Sequence, residues 1–83
     1  MNTTSNESMV LQPISTLTFF GSRTAVAQYV ADLLLRSKFA SASITITTRG
    51  SSEDCYVAIA ITVSLEDTAK SVAQSYSLQL INT

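Results

Sequence analysis

Residues 42–65 read ASITITTRGSSEDCYVAIAITVSL, two alternating runs joined by a polar turn. Ala and Ile alternate with Ser and Thr in the first run, and Val and Ile alternate with Tyr, Ala and Thr in the second. Successive side chains of a strand point to opposite faces, so this alternation predicts two strands. The β-branched residues of both runs favour a half-buried sheet. The connection, residues 49–54, contains Gly50 and two serines and predicts a solvated turn, so the whole stretch predicts an antiparallel hairpin.

The composition predicts one small, weakly charged domain. The chain has 83 residues, of which 46% are hydrophobic, so it is too apolar to be disordered. Only 13% of its residues are charged, against a usual ~25%, and the net charge is −1. Its Lys and Arg residues are scattered, whereas phosphate binding needs them clustered. No apolar run approaches the ~20 residues that span a bilayer. We therefore expect neither a nucleic-acid partner nor a membrane.

The sequence contains no histidine and a single cysteine, Cys55, which predicts a structural thiol. General acid–base catalysis needs a group that titrates near neutral pH, and zinc sites need His or Cys ligands. We therefore expect no enzyme activity, no catalytic residue, no cofactor and no metal. Residues 1–8 lack the basic region and apolar core of a signal peptide, which favours a cytoplasmic location. Residues 1–13 are expected to form a polar N-terminal arm, and residues 14–83 a single α+β domain.

Residues upstream of the hairpin predict a strand followed by a helix. Residues 14–21 alternate and predict the first strand. Ser22 can accept a hydrogen bond at a helix N-terminus, so we expect the helix over residues 23–37. Asp32 and Arg36 are spaced to form an i,i+4 pair in a narrow polar stripe. The rest of this helix is more apolar than an ordinary surface helix, so we expect a sheet and a second helix, or a second subunit, to cover it.

Residues downstream of the hairpin predict a second helix that begins at Leu65. Residues 64–67 resemble a capping box, and Glu66 can pair with Lys70. Residues 77–81 are ambiguous, because they alternate like a strand while no Gly or Pro separates them from the helix. We favour a helix that continues to about Tyr76 or beyond, with a fourth strand as the alternative.

The resulting order is β-α-β-β-α, with an optional final strand. A right-handed crossover would place the return strand of the hairpin between the first two strands, and both helices on one face of an antiparallel sheet. With the fourth strand, this two-layer sandwich resembles the ferredoxin-like topology. The resemblance is one of topology alone, and no family motif accompanies it.

The two faces of the predicted sheet differ in character. We expect these side chains to face the helices: Leu17, Phe19, Ile44, Ile46, Val57, Ile59, Ile61 and Val63. The opposite face would consist of Thr16, Thr18, Phe20, Thr45, Thr47, Tyr56, Ala58, Ala60 and Thr62. Not one of the nine is charged, although sheets left in water usually carry Lys or Glu outward. This predicts an interface with a second copy or another protein, and the alternative is a Thr-rich solvated sheet.

Two further sites are weaker. Without a fourth strand, the first strand would be an open edge able to pair with its copy. Backbone amides at Gly21 and Ser22, with Arg23, could bind an anion, although a plain helix cap is the simpler interpretation.

These features give three hypotheses for function. The first is a non-catalytic protein-interaction module, acting as a homodimer or docking a partner protein. The second is a small-ligand-sensing regulatory domain that uses the Gly21–Arg23 junction. The third is single-stranded nucleic-acid binding, with Phe20 and Tyr56 stacking on bases, and it is the weakest because basic residues are missing.

Overall fold

The computed structural model of the protein describes residues 13–48 and 53–82. Within them, four strands and two α-helices follow one another in the order β-α-β-β-α-β. Two short 3-10 helices, Ser37–Phe39 and Val63–Leu65, precede the second strand and the second α-helix. The expected arm lies outside the described residues except for Pro13, as do residues 49–52 of the hairpin turn. The elements are β1 (Ile14–Ser22), α1 (Arg23–Leu34), β2 (Ser43–Thr48), β3 (Asp54–Thr62), α2 (Glu66–Ser75) and β4 (Gln79–Asn82).

The strands form one antiparallel sheet in the order β2-β3-β1-β4. This confirms the α+β class and the position of β3 between β1 and β2. Our preference for a helix beyond Tyr76 is wrong, because β4 pairs with β1 along Thr18–Phe20. That pairing also overturns the hypothesis that β1 is an open edge, because β1 lies between β3 and β4 in the sheet.

Helix α1 begins as predicted and ends early. The Ser22 Oγ accepts a hydrogen bond of 3.1 Å from the Ala25 amide, which confirms the predicted cap. The predicted pair also forms, with 2.6 Å between Asp32 Oδ1 and Arg36 Nε. The helix ends at Leu34 rather than at residue 37, because Arg36 takes an extended conformation with φ −96° and ψ 119°.

Helix α2 does not have the capping box expected at residues 64–67. Leu65 occupies the N-cap position and makes no side-chain cap bond. Ser64 lies in the preceding 3-10 helix, where its Oγ is 3.3 Å from Thr62 Oγ1. Glu66 accepts a hydrogen bond from the Ser15 hydroxyl, and no Glu66–Lys70 ion pair forms among the described residues. Glu66, in the first turn of α2, therefore bonds to a residue of β1 and not to Lys70 of its own helix.

A Schellman motif reverses the chain between α2 and β4. The Ser77 amide donates to the Gln74 carbonyl oxygen and the Leu78 amide to that of Ala73, both at 3.0 Å. Ser77 has a φ of 62°, a left-handed conformation that usually belongs to glycine. Since serine occupies this position, the sequence carries no obvious helix stop.

The core lies between the sheet and both helices, so the two helices pack on the same face. Tyr29 of α1 is fully buried, its ring meets Phe19 edge to face at 5.5 Å, and burial raises its pKa. These hydrophobic residues are buried: Leu17, Phe19, Val26, Tyr29, Leu33, Phe39, Cys55, Val57, Ile59, Ile61, Ala69, Val72, Ala73 and Leu78.

Two residues expected in the core are instead exposed. Ile46 is 48% exposed because it lies on the edge strand β2, where even Ile44 is only half-buried. Val63 is 45% exposed because β3 ends at Thr62 and Val63 begins the 3-10 helix. The alternation of the sequence therefore continues past the area that the helices cover.

Candidate functional site: the outward face of the sheet

The register of the strands brings the nine predicted interface residues together on one surface. This outward face, the side of the sheet opposite the helices, has Ala58 and Ala60 of β3 along its middle. The pairing places Thr18 and Thr45 on either side of Ala58, and Thr16 beside Ala60. The face consists of Thr16, Thr18, Phe20, Thr45, Thr47, Tyr56, Ala58, Ala60 and Thr62.

The face extends beyond the nine predicted residues. Ser43 lies opposite Ala60, and Ile14, which is 63% exposed, lies opposite Thr62, so both belong to it. Both positions follow the alternation of their strands, because Ile14 begins β1 in phase with Thr16 and Ser43 begins β2 in phase with Thr45. Asp54 follows the same alternation at the far end of β3, opposite Ser22. The uncharged part of the face therefore runs from the Ile14–Thr62 pair to the Phe20–Tyr56 pair.

The outward face is open in the part of the chain that the structure describes. Thr16, Thr45 and Thr47 are exposed, and the other six are half-buried. Each buried residue of β1 and β3 has the opposite parity and packs against the helices. The half-burial of Ala58 and Ala60 thus arises from neighbouring strands rather than from a covering layer.

Phe20 and Tyr56 form an aromatic pair at one end of the face. They are direct cross-strand partners with ring centroids 4.9 Å apart and planes inclined at 47°. Such a pair contributes about 0.5–1.5 kcal/mol beyond its buried area. It supplies a large apolar surface beside the small side chains of the middle rows.

The chemistry of this face is that of packing. Alanine and threonine side chains project little from the sheet, so a second layer can approach to about 10 Å. The nine residues include no carboxylate, histidine or cation, and the hydroxyl groups of threonine are weak nucleophiles without an adjacent base. The face can therefore bury apolar area against a second layer.

The Gly21–Arg23 junction already uses amides that an anion would need. The Arg23 amide donates to the Glu53 carbonyl oxygen at 2.7 Å, and the Ala25 amide donates to Ser22. A Cβ added to Gly21 would overlap Cδ2 of Leu78, so glycine here permits a close approach between β1 and the segment before β4. An anion site at this junction stays a prediction.

Cys55 lies in the core opposite Gly21 and is 1% exposed, as a structural thiol requires. Within residues 13–48 and 53–82, no three His, Cys, Asp or Glu side chains come together as a possible metal site. A cleft of about 450 Å³ lies beside α2, and Lys70 and Leu80 are among the residues that line it. The buried residues that line the cleft, Phe19, Ala73 and Leu78, are all apolar, so the cleft lacks the convergent buried polar groups typical of a ligand site.

Comparison with family models, with curated proteins and with solved structures gave no match to this chain. Neither of the described α-helices has the length and apolar character needed to cross a membrane.

Proposed function

We propose that this protein is a small non-catalytic interaction module that self-associates by packing the outward face of its sheet against that of a second copy. The observation that carries the proposal is the in-register surface around Ala58 and Ala60, uncharged across three strands and left open by both helices. Exposed sheets usually carry charges that prevent association, and this surface has none between its two end pairs.

The absence of charge favours a second copy as the partner. When a face packs against itself, any charge on it approaches a like charge. The nine residues raise no such repulsion. Small side chains along the middle also let two sheets approach closely, with the two aromatic residues at one end supplying apolar area.

The size of the face limits the expected affinity. Strands lie about 4.8 Å apart and rise about 3.4 Å per residue, so the nine-residue strands β1 and β3 and the six-residue strand β2 give a footprint of roughly 400 Å². Stable specific interfaces bury about 800 Å² per partner, so this face is about half that size and fits a weak or transient contact. We therefore expect a dissociation constant in roughly the micromolar range or weaker.

The element order supports a ferredoxin-like assignment as part of this proposal. The β-α-β-β-α-β order, the antiparallel sheet and the common side of the two helices are features of that topology. In such a two-layer fold, one face of the sheet remains available for a partner. The assignment concerns architecture and does not itself indicate a function.

The test is a lysine placed in the middle of the face. Ala58→Lys introduces a long cation whose burial in a dimer is costly, so we expect the dimer to dissociate at least about tenfold more readily. Ala31→Lys is the matched control, since Ala31 is exposed on α1, away from the sheet. Sedimentation velocity over a concentration series reports the association, and circular dichroism verifies the fold of each variant.

Two results would contradict the proposal. One is a wild-type protein that stays monomeric up to roughly millimolar concentration, the weak limit for a specific contact. The other is an Ala58→Lys variant that associates as tightly as Ala31→Lys, which would show that the face is not buried in the dimer.

A further inference from the structure

Strand β2 forms an unusual edge of the sheet. Among the described residues it pairs only with β3, and its outer side has no neighbouring strand. Its sequence, SITITT, contains no charge, no proline and no glycine. Ile44 is half-buried, and the other five residues are exposed.

Edge strands usually carry a feature that prevents another strand from adding to them. The common ones are a lysine or proline on the edge, a bulge, a very short strand or a covering helix. β4, the opposite edge, is four residues long and enters the sheet through a register shift between Thr18 and Phe19. β2 pairs with β3 in continuous register from Ser43 to Thr48 and has none of these protections.

We propose that β2 pairs antiparallel with β2 of a second copy across a two-fold axis at Thr45, joining the two sheets into one. A two-fold axis makes the contact self-complementary, and each strand supplies the backbone groups that the other lacks. The edge pairs through the backbone of β2 and its helix-facing isoleucines, whereas the outward face, to which Thr45 and Thr47 also belong, packs through side chains of three strands. The inference does not depend on the function proposed for that face.

The side-chain pattern selects this register. With Thr45 opposite Thr45 of the partner subunit, Ile44 lies opposite Ile46 of the partner subunit, and the reverse pair forms as well. Both isoleucine pairs lie on the helix-facing side, where Ile46 is 48% exposed in the single chain. A shift of one residue would place isoleucine opposite threonine and turn one strand over relative to the other. An axis at Ile44 or Ile46 would form only one isoleucine pair, so the register centred on Thr45 matches the most apolar side chains.

The lack of charge is essential to this pairing. The residue on a two-fold axis meets its own copy, so a charged residue there would meet a like charge, and like charges directly opposite one another are destabilising. Thr45 on the axis avoids this, and Ser43 opposite Thr47 of the partner subunit is also a neutral pair.

The first test places a lysine at Ile46, which does not belong to the outward face. Because two isoleucine pairs are lost, we expect Ile46→Lys to weaken dimerisation about tenfold or more. Val63→Lys is the matched control, because Val63 is exposed to a similar extent, 45%, but lies beyond β3. This control should leave the dimerisation constant within about threefold of wild type. Sedimentation velocity measures the constants.

The second test uses opposite charges at the axis. Thr45→Lys and Thr45→Glu should each weaken dimerisation about three- to tenfold, and an equimolar mixture should form a heterodimer of nearly wild-type affinity. Thr16→Lys and Thr16→Glu, exposed on the same face but two strands away, should show no such rescue on mixing. Isotope-filtered NOEs between Ile44 and Ile46 methyl groups of different protomers would locate the register directly.

The outcomes separate the two surfaces. Loss of the dimer with Ile46→Lys but not with Ala58→Lys supports the edge and counts against the outward face. The reverse pattern overturns the edge pairing and supports the face. A monomeric wild-type protein, or failure of the Thr45 variants to rescue one another, also overturns the edge pairing.

Discussion

The hydroxyl group of Tyr29 donates a hydrogen bond of 3.1 Å to the carbonyl oxygen of Ala69. Both residues are fully buried, and the bond joins α1 to α2 above the sheet. It therefore fixes the relative position of the two helices, while the ring of Tyr29 packs edge to face against Phe19 of β1. One side chain thus connects three elements of the fold.

We expect Tyr29→Phe to lower the free energy of unfolding by about 1–2 kcal/mol, because the ring stays packed while a buried hydrogen bond is lost. Urea denaturation followed by circular dichroism measures the change. Tyr29→Leu should cost more, since it also removes the aromatic contact with Phe19. A Tyr29→Phe variant as stable as wild type would show that the helix contact does not need this bond.

The carboxylate of Asp32 makes the free energy of unfolding depend on pH in the acid range. It accepts hydrogen bonds from Arg36 Nε at 2.6 Å and from the Tyr76 hydroxyl at 2.7 Å, and these bonds lower its pKa. Because the pKa of Asp32 is lower in the folded state than its unfolded value of about 3.9, the ionised carboxylate stabilises the fold at neutral pH. This stabilisation is lost as the pH falls through the folded-state pKa. We therefore expect the stability difference between wild type and Asp32→Asn to shrink below about pH 4. Urea titrations at several pH values test this, and a difference that stays constant with pH would contradict it.

The left-handed residue Ser77 offers a stabilising substitution. Its φ of 62° costs an ordinary L-residue about 1–2 kcal/mol, whereas glycine adopts this conformation freely. Glycine also gives the unfolded chain more entropy, so we expect Ser77→Gly to raise stability by only about 0.5–1 kcal/mol. Ser77→Val should lower it, because a β-branched side chain suits this conformation least. Thermal unfolding of the two variants should therefore shift in opposite directions.

Self-association should be nearly independent of salt. Neither the nine residues of the outward face nor β2 carries a charge. Screening between about 0.05 M and about 0.5 M NaCl should therefore change the dimerisation constant by no more than about threefold. Sedimentation at the two concentrations measures this. A dimer that weakens tenfold with salt would point instead to contacts made by charged residues.

The strands and their faces could be predicted because alternation is a local signal. It placed β1, β2 and β3 within one residue and put Ala58 and Ala60 on the outward face. It failed at Ile46 and Val63, since the pattern of a strand does not say how far the helices reach over it. The identity of any partner leaves no comparable local signal, because a neutral sheet face has the same appearance whether it is solvated or packed.

The ends of the helices were harder to predict because the usual stop residues are missing. Arg36 turns extended after Leu35 without a glycine or proline, so the apolar run predicted a longer α1. Ser77 occupies the left-handed position at which a glycine usually ends a helix. Without that glycine, the sequence did not show where α2 ends and β4 begins. At the start of α2, the Ser64 hydroxyl bonds with that of Thr62 at the end of β3 and leaves the N-cap position to Leu65.

The pairing of β4 with β1 also has a consequence for biosynthesis. The two strands stand at opposite ends of the described chain, and a ribosome makes the earlier one first. β1 can pair with the completed hairpin before β4 has been synthesised. The nascent polypeptide therefore passes through a stage in which one edge of β1 is unpaired and prone to aggregate. If translation stopped before Gln79, this edge of β1 would stay unpaired. The residues of β4 therefore protect β1 from aggregation.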